Sequence, residues 1–402
     1  MKTCGWNNTT SLKLSLFENT GRGLTSSRNL TPSDTLIEIP YELMISYTTL
    51  KDFFTNDLVS SNNLKQLEMH DALAIFLAFE RHKGYHSKWK SYINSLPEDI
   101  PLVPWLCSEK EIEAIPAELR SKVQDKHDSF KSSWQRSKES INPFWKCECC
   151  ETPGHRVLSL NLFTWAYVMV NTRAVYVDPD IVRELSRDSV NTSSFELSDD
   201  PSMALCPYLD MFNHSCKSAT NAVLEKVNGR WMYKLITLTS SEKYNEILIS
   251  YGSHDNDKLL CEYGFFILNN ELDVLRMAFH QVLKYTKVNL SGRQYKFIRE
   301  RQFDTNLYIN KDGLSFNLKA VLFVIMNCEL MDWSSSIFSE KYNKDLLAMY
   351  CIARDLIKNK ISESSSELAV LDSYCNDSSE AFRTVVSYFK YKIEFMERLP
   401  TI

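Results

Sequence analysis

The run Asp210-Met-Phe-Asn213-His214-Ser215-Cys216 sets a carboxylate, an amide, an imidazole and a hydroxyl close together inside apolar text. An Asx-rich turn capping a short helix would use the same residue types. A single His and Asp supply too few ligands for a metal centre. Further on, Tyr251-Gly252 and Glu262-Tyr263-Gly264-Phe265 repeat a tyrosine followed by glycine. Such tyrosines serve either as core aromatics at element ends or as phenols facing a pocket, since a buried hydroxyl needs a partner. Gly21-Arg22-Gly23 follows apolar strand text, but Ser26 fills the position where a dinucleotide fingerprint needs a third glycine. Thr31-Pro32 follows and no amphipathic helix opens there, so the pair reads as a flexible turn that brings backbone close to a neighbour.

The elements that must position these groups follow from periodicity. Leu12, Leu14 and Leu16 alternate with Lys13 and Ser15, which predicts a half-buried strand. Leu36, Ile37 and Ile39 form a second, stopped by Pro40. Leu73, Phe76 and Leu77, then Trp89, Tyr92, Ile93 and Leu96, change to helical spacing, and charged helical text runs from Glu109 to Glu139. The apolar run Phe163 to Val170 leads to Asn171-Thr172-Arg173, and residues 186–202 read as a long polar loop. Ala222 to Val227 and Trp231 to Thr239 flank Asn228-Gly229-Arg230, a hairpin signal. Ile247 to Tyr251 reads as a strand. Helical spacing returns at Leu346, Tyr350, Ala353 and Ile357, and at Phe382, Val385, Val386, Phe389 and Ile393. The serine-rich stretch 361–379 between them reads as a loop.

The 402 residues are 44% hydrophobic and 12% aromatic, enough for a large core in more than one lobe. A net charge of −5 disfavours a strongly basic nucleic-acid binder. The best apolar run, Leu318 to Met331, is interrupted by Lys319, Asn327 and Glu329, so no membrane span is expected. The first residues have no apolar signal-peptide core, and eleven scattered cysteines read as reduced thiols, which predicts cytoplasm or nucleus.

Taken in order, Gly21-Arg22-Gly23-Leu24, Trp165 with Val170-Asn171-Thr172-Arg173, Asp210-x-x-Asn213-His214-Ser215, and Tyr251-Gly252 through Glu262-Tyr263-Gly264-Phe265 resemble the SET-domain protein methyltransferases. Within them the chain is similar to the Rubisco large-subunit lysine methyltransferase branch, and the 251–265 run to its SET domain-containing protein 4 subgroup. The resemblance covers roughly residues 12–275 and fades beyond. It implies an α+β fold: a β-rich SET core with knot-like threading, split by a helical insertion, plus an α-helical C-terminal lobe. The expected boundaries are 1–47 and 201–274 for the SET core, 48–200 for the insertion and 275–402 for the lobe.

The activity implied is methyl transfer from S-adenosyl-L-methionine to an exposed lysine of a histone or cytosolic protein, with no membrane and no direct nucleic acid involved. The resemblance implies by position that Thr20, Gly21 and Arg22 present backbone to the cofactor's methionine part. By the same resemblance Arg173 is expected to hold its carboxylate, Asn213 its amino-acid part and the backbone of His214 the adenine edge, with Phe265 expected to pack on the adenine. Asp210 falls on the family's acidic position, with a structural or lysine-binding role. Tyr251 is the implied catalytic tyrosine, also touching the cofactor, and Tyr263 lines the same channel. The histidine-methylating branch has asparagine two residues after the arginine, where this chain has Val175. Histidine methylation and a silent peptide-binding scaffold remain the alternatives. Cys147-Glu-Cys149-Cys150, with His155 nearby, can supply zinc ligands, but the spacing is poor for a tetrahedral site. The cluster is expected to be ordinary loop thiols, with no metal.

Overall fold

The structure, a computed structural model, describes residues 11–54, 57–59, 66–187, 195–339 and 344–400. The chain divides into two units, one of residues 1–101 and 124–253, the other of residues 102–123 and 254–402. The architecture is α+β, with several small sheets among many helices.

In the first unit the strands are β1 (Leu12–Phe17), β2 (Gly21–Ser26), β3 (Thr35–Pro40), β4 (Ala174–Tyr176), β5 (Met203–Leu205), β6 (Asn213–His214), β7 (Thr220–Val227), β8 (Arg230–Thr237) and β9 (Glu246–Ile249). One sheet has the order β1-β2-β9-β6 and a second the order β3-β8-β7, while β4 pairs with β5. The β7–β8 hairpin closes at Asn228 and Gly229, both with positive φ, as a two-residue turn twisted to match its strands requires.

Three expectations need correction here. The turn lies at 18–20, and the glycines open β2, with Phe17 opposite Gly21 and Ser15 opposite Gly23. Gly23 is closely packed within the sheet, where a Cβ would meet Glu246, Asn213 and Phe17, while Gly21 takes a positive φ of +73°. In β1 only Leu12 is buried, and Leu16 is 80% exposed, because β1 is the edge of its sheet. The strand expected to reach Tyr251 ends at Ile249, where pairing with the two-residue β6 runs out.

The insertion is built on the helices Met69–Lys83 and Leu160–Arg173, which pack on each other. Both are apolar nearly all round and bury Leu73, Phe76, Leu77, Trp165, Val168 and Val170, as a central helix must. Ser159 caps the second helix by accepting from the Leu162 N–H at 3.3 Å. A buried helix has its rotation fixed, so its last residue, Arg173, is aimed by the core. The charged stretch from Glu109 is two helices, Glu109–Ala114 and Ala117–Ser140, because Pro116 cannot continue the first. The 186–202 stretch begins in the helix Pro179–Arg187, and 188–194 lie outside the described residues.

The second unit is mainly helical and carries a small sheet of β10 (Leu275–Arg276), β11 (Tyr308–Asn310) and β12 (Gly313–Leu314). Its core gathers Leu275, Ile309, Leu318, Val321, Ala353 and Ile357. The serine-rich segment is not a loop. The helix Leu346–Tyr374 runs through it. Ala353, Ile357, Lys360, Ser364 and Leu371 form one buried stripe at helical spacing. Ser365 and Ser366 return their hydroxyls to the carbonyls of Ile361 and Ser362, at 2.8 and 3.0 Å. Back-bonded serines are tolerated where the opposite face is buried.

Candidate functional site

β6 runs parallel to β9, Asn213 opposite Leu248 and His214 opposite Ile249, so the Asn-His pair sits beside the segment that leads to Tyr251. The His214 ring is buried and stacks on Tyr251, centroids 5.0 Å apart and planes 25° apart. The Tyr251 N–H lies 3.1 Å from His214 Nδ1, which is also 3.3 Å from the Ile249 carbonyl. The Tyr251 hydroxyl donates to the Phe212 carbonyl at 2.6 Å. The phenol is therefore fixed at both ends.

A second group joins β2, β6 and β9. The Asn213 amide donates to the Arg22 carbonyl at 3.0 Å and to Glu246 Oε1 at 2.7 Å. Thr20 Oγ1 donates to Glu246 Oε2 at 2.7 Å. Arg22 reaches the Ser95 carbonyl through Nη1 at 3.1 Å. Glu246 is thus the acceptor that organises Thr20 and Asn213, and sequence reasoning missed it: one Glu at a strand start carries no signal. Gly21 has φ +73° and nothing within 4 Å of where a Cβ would project, so its backbone faces open space.

The third group is buried. Arg173 Nη1 donates to the Asp210 carbonyl at 2.8 Å and approaches Asp210 Oδ2 at 3.4 Å. The Tyr92 hydroxyl donates to Asp210 Oδ2 at 2.8 Å. Tyr92 was legible only as an apolar position at helical spacing. Burial pushes the Asp210 carboxyl above the ordinary range, against the opposing pull of Arg173 and Tyr92. The turn Leu209–Met211 that carries Asp210 follows Tyr208, held at φ +81° and anchored by its hydroxyl on the Leu12 carbonyl at 2.8 Å. Among the described residues, Arg173 Nε and Asp210 Oδ1 find no hydrogen-bond partner and are buried. A cavity of about 510 Å³, within the size range of small-molecule sites, borders this network through Tyr92 and Tyr208.

Thr20, Gly21, Arg22, Arg173, Asp210, Asn213, His214 and Tyr251 all lie in the first unit. Tyr263 and Phe265 lie in the second. Tyr263 ends the helix Asn256–Tyr263, its ring 6.1 Å from Phe265 and 6.2 Å from His254. Burial pushes its phenol up to about 12. Gly264 caps that helix at φ +79° and lies against the Leu102 backbone, where a Cβ has no room.

Residues 21–252 match the SET domain family. The chain belongs to that family, the SET-domain protein methyltransferases. It is 31% identical over 338 residues to SET domain-containing protein 4 of Artemia parthenogenetica, covering 83% of this chain and 78% of that protein. The Homo sapiens protein of the same name is 26% identical over 312 residues, 76% of this chain and 66% of that protein. More distant SET-domain relatives include a ribosomal lysine N-methyltransferase of Schizosaccharomyces pombe, 25% identical over 265 residues (65% of this chain, 43% of that one). An actin-histidine N-methyltransferase of Rattus norvegicus is 24% identical over 267 residues (65% and 40%). The SET domain of LSMT bound to lysine and AdoHcy superposes with a TM-score of 0.58 at 16% identity, over 99% of this chain and 88% of that one. Rubisco LSMT bound to AdoMet superposes with a TM-score of 0.55, over the same shares. The SET fold, including the C-terminal helices, is therefore common to this chain and those structures.

Proposed function

We propose that this chain is an S-adenosyl-L-methionine-dependent protein-lysine N-methyltransferase, acting on an exposed lysine of a histone or non-histone protein in cytoplasm or nucleus. The observation that carries the reading is the fixed Tyr251 phenol, stacked on His214 and set beside the Asn213 network of a SET domain.

The residues present fit the cofactor. Buried polar atoms without partners are costly, and Arg173 Nε and Asp210 Oδ1 are two of them. The Arg173 guanidinium suits a carboxylate, Asn213 the amino-acid part, the backbone of Thr20, Gly21 and Arg22 its methionine end, and the His214 backbone the adenine edge. When bound, the cofactor supplies a methyl group on a positively charged sulfur.

The protein's part is to hold the acceptor and keep its amine neutral. A lysine in water, with a pKa of about 10.4, is mostly ammonium and not a nucleophile. A dry channel beside a positive charge lowers that value. The Tyr251 phenol orients the amine. Phenols ordinarily titrate at about 10 and are poor bases at neutral pH, so water carries the proton away. Val175, apolar and paired with Ala204 across β4–β5, favours lysine over imidazole, since it offers no amide where the histidine-methylating branch has one. The test is mass spectrometry of a proteome incubated with the enzyme and isotopically labelled cofactor, which reports the modified atom. Label on lysine supports the reading; label on histidine replaces it with the actin-histidine type of activity; no label together with peptide binding replaces it with a silent scaffold.

A further inference from the structure

The residue type expected to be ordinary loop thiol is brought into a different company by the fold. Cys147, Cys149 and Cys150 lie in the turn 147–152, and the side chain that meets them is His82, from the last turn of the helix Met69–Lys83. His155, the histidine nearest in sequence, is not in the cluster. One ligand atom from each of the four residues lies within 4.8 Å of every other. His82 Nε2 is 3.2 Å from Cys150 Sγ, and the sulfurs of Cys147 and Cys149 are 3.0 Å apart.

The turn is shaped to present three sulfurs to one point. The Cys147 N–H donates to the Thr152 carbonyl at 2.9 Å. The N–H groups of Cys150 and Glu151 both donate to the Cys147 carbonyl, at 3.4 and 2.7 Å. Glu151 takes φ +56°, and Lys146 bridges Pro153 below the turn. Cys147 is buried beneath, while Cys149 and Cys150 are exposed around the rim. The turn is itself anchored: Gly154 packs against Ile141 and Trp145, and Trp145 lies edge-on to Phe79 of the His82 helix.

We propose that His82, Cys147, Cys149 and Cys150 form a tetrahedral Cys3His site for a zinc ion. Zn–S bonds of about 2.3 Å place sulfurs about 3.8 Å apart around the metal. The 3.0 Å between the Cys147 and Cys149 sulfurs and the 4.8 Å limit bracket that value, so side-chain shifts of about an ångström centre an ion. Adjacent cysteines are poor spacing for a site made from one segment, but here the fourth ligand comes from a helix end, and the turn has only to offer three sulfurs on one side. Three thiolates and an imidazole are soft, nitrogen- and sulfur-rich donors that select zinc over magnesium or calcium. The ion would tie the C-terminal end of the Met69–Lys83 helix to the 147–152 turn, a structural role with no open coordination position.

The test is elemental analysis of the full chain purified under reducing conditions, with cobalt(II) substitution of the wild-type protein. The proposal expects about one zinc per chain, and a cobalt spectrum with thiolate-to-metal charge transfer and the intense ligand-field bands of a tetrahedral site. His82→Ala and Cys150→Ser should each weaken zinc binding, read by competition with a chromogenic chelator, by at least about tenfold. His155→Ala should leave it unchanged. Absence of bound zinc together with failure of zinc or cobalt titration, an octahedral cobalt spectrum, a Cys147–Cys149 disulfide in the reduced preparation, or an effect of His155→Ala equal to that of His82→Ala would each overturn it. The cobalt spectrum is read on the unaltered chain and so does not depend on any variant folding.

Discussion

Gly23→Ala tests how tightly the Asn213 network is built. A Cβ at position 23 would overlap Glu246 Oε1 and lie 3.0 Å from Asn213 Nδ2 and 3.1 Å from Phe17 Cδ2. Glu246 is a flexible side chain, but it is held at both oxygens, by Thr20 and by Asn213, each at 2.7 Å. Moving it aside breaks two hydrogen bonds to a charged group, and leaving it in place forces an overlap. Overpacking of this kind costs about 1–3 kcal/mol, and the two constrained hydrogen bonds put this case near 2, about a thirtyfold change in an equilibrium constant. In a Glu246→Ala background the worst overlap is gone, and the same glycine substitution should cost less than about 1 kcal/mol. The assay is a double-mutant cycle, with stability read by denaturant unfolding and affinity by calorimetric titration of S-adenosylhomocysteine. A coupling of about 1 kcal/mol or more is expected. Equal costs of Gly23→Ala in both backgrounds would refute the reasoning, because the cost would then not run through Glu246.

Asp210→Asn should weaken S-adenosylhomocysteine binding about tenfold in the same titration while changing stability by less than about 1.5 kcal/mol, because burial already disfavours the Asp210 anion and offsets its pairing with Arg173. Ser366→Pro should destabilise the second unit by about 3 kcal/mol, measured by denaturant unfolding, as proline does in a helix interior; a loop there would tolerate it. Acid should weaken the same unit. Glu118, Asp257 and Glu363 sit beside Lys360 and Lys392, and their carboxyls are held below the ordinary range, Glu363 at about 2. Depressed carboxyls contribute stability that is fully present above about pH 4–5 and is lost as pH falls toward 2. Melting temperature followed from pH 6 to pH 2 should therefore fall, and fall less steeply in Lys360→Gln, which removes a partner of Glu118 and Glu363.

What the sequence revealed and what it hid divide along a physical line. The β7–β8 hairpin was legible because Asn228-Gly229 is a local signal, and the two central helices because their apolar text is dense. The serine-rich helix was hidden because its support, the buried stripe through Lys360, Ser364 and Leu371, includes polar residues whose burial is tertiary. At the site, the motif residues Asn213, His214 and Tyr251 stood out by type and order. Their partners did not. Glu246, Tyr92 and Ser95 act through contacts 33, 118 and 73 residues away in sequence, and no local pattern announces them. His82 escaped for the same reason: it joins the cysteines across 68 residues, while His155 lay closer in the chain and farther from the sulfurs.

The central claim is methyl transfer to lysine with Tyr251 positioning the amine. The most direct measurement is labelled methyl transfer by the purified full chain, with the modified residue identified by mass spectrometry, in wild type and in Tyr251→Phe. The account predicts label on lysine in the wild type, and at least about tenfold lower turnover in the variant with S-adenosylhomocysteine affinity unchanged. Label on histidine, or undiminished turnover in Tyr251→Phe, would contradict it.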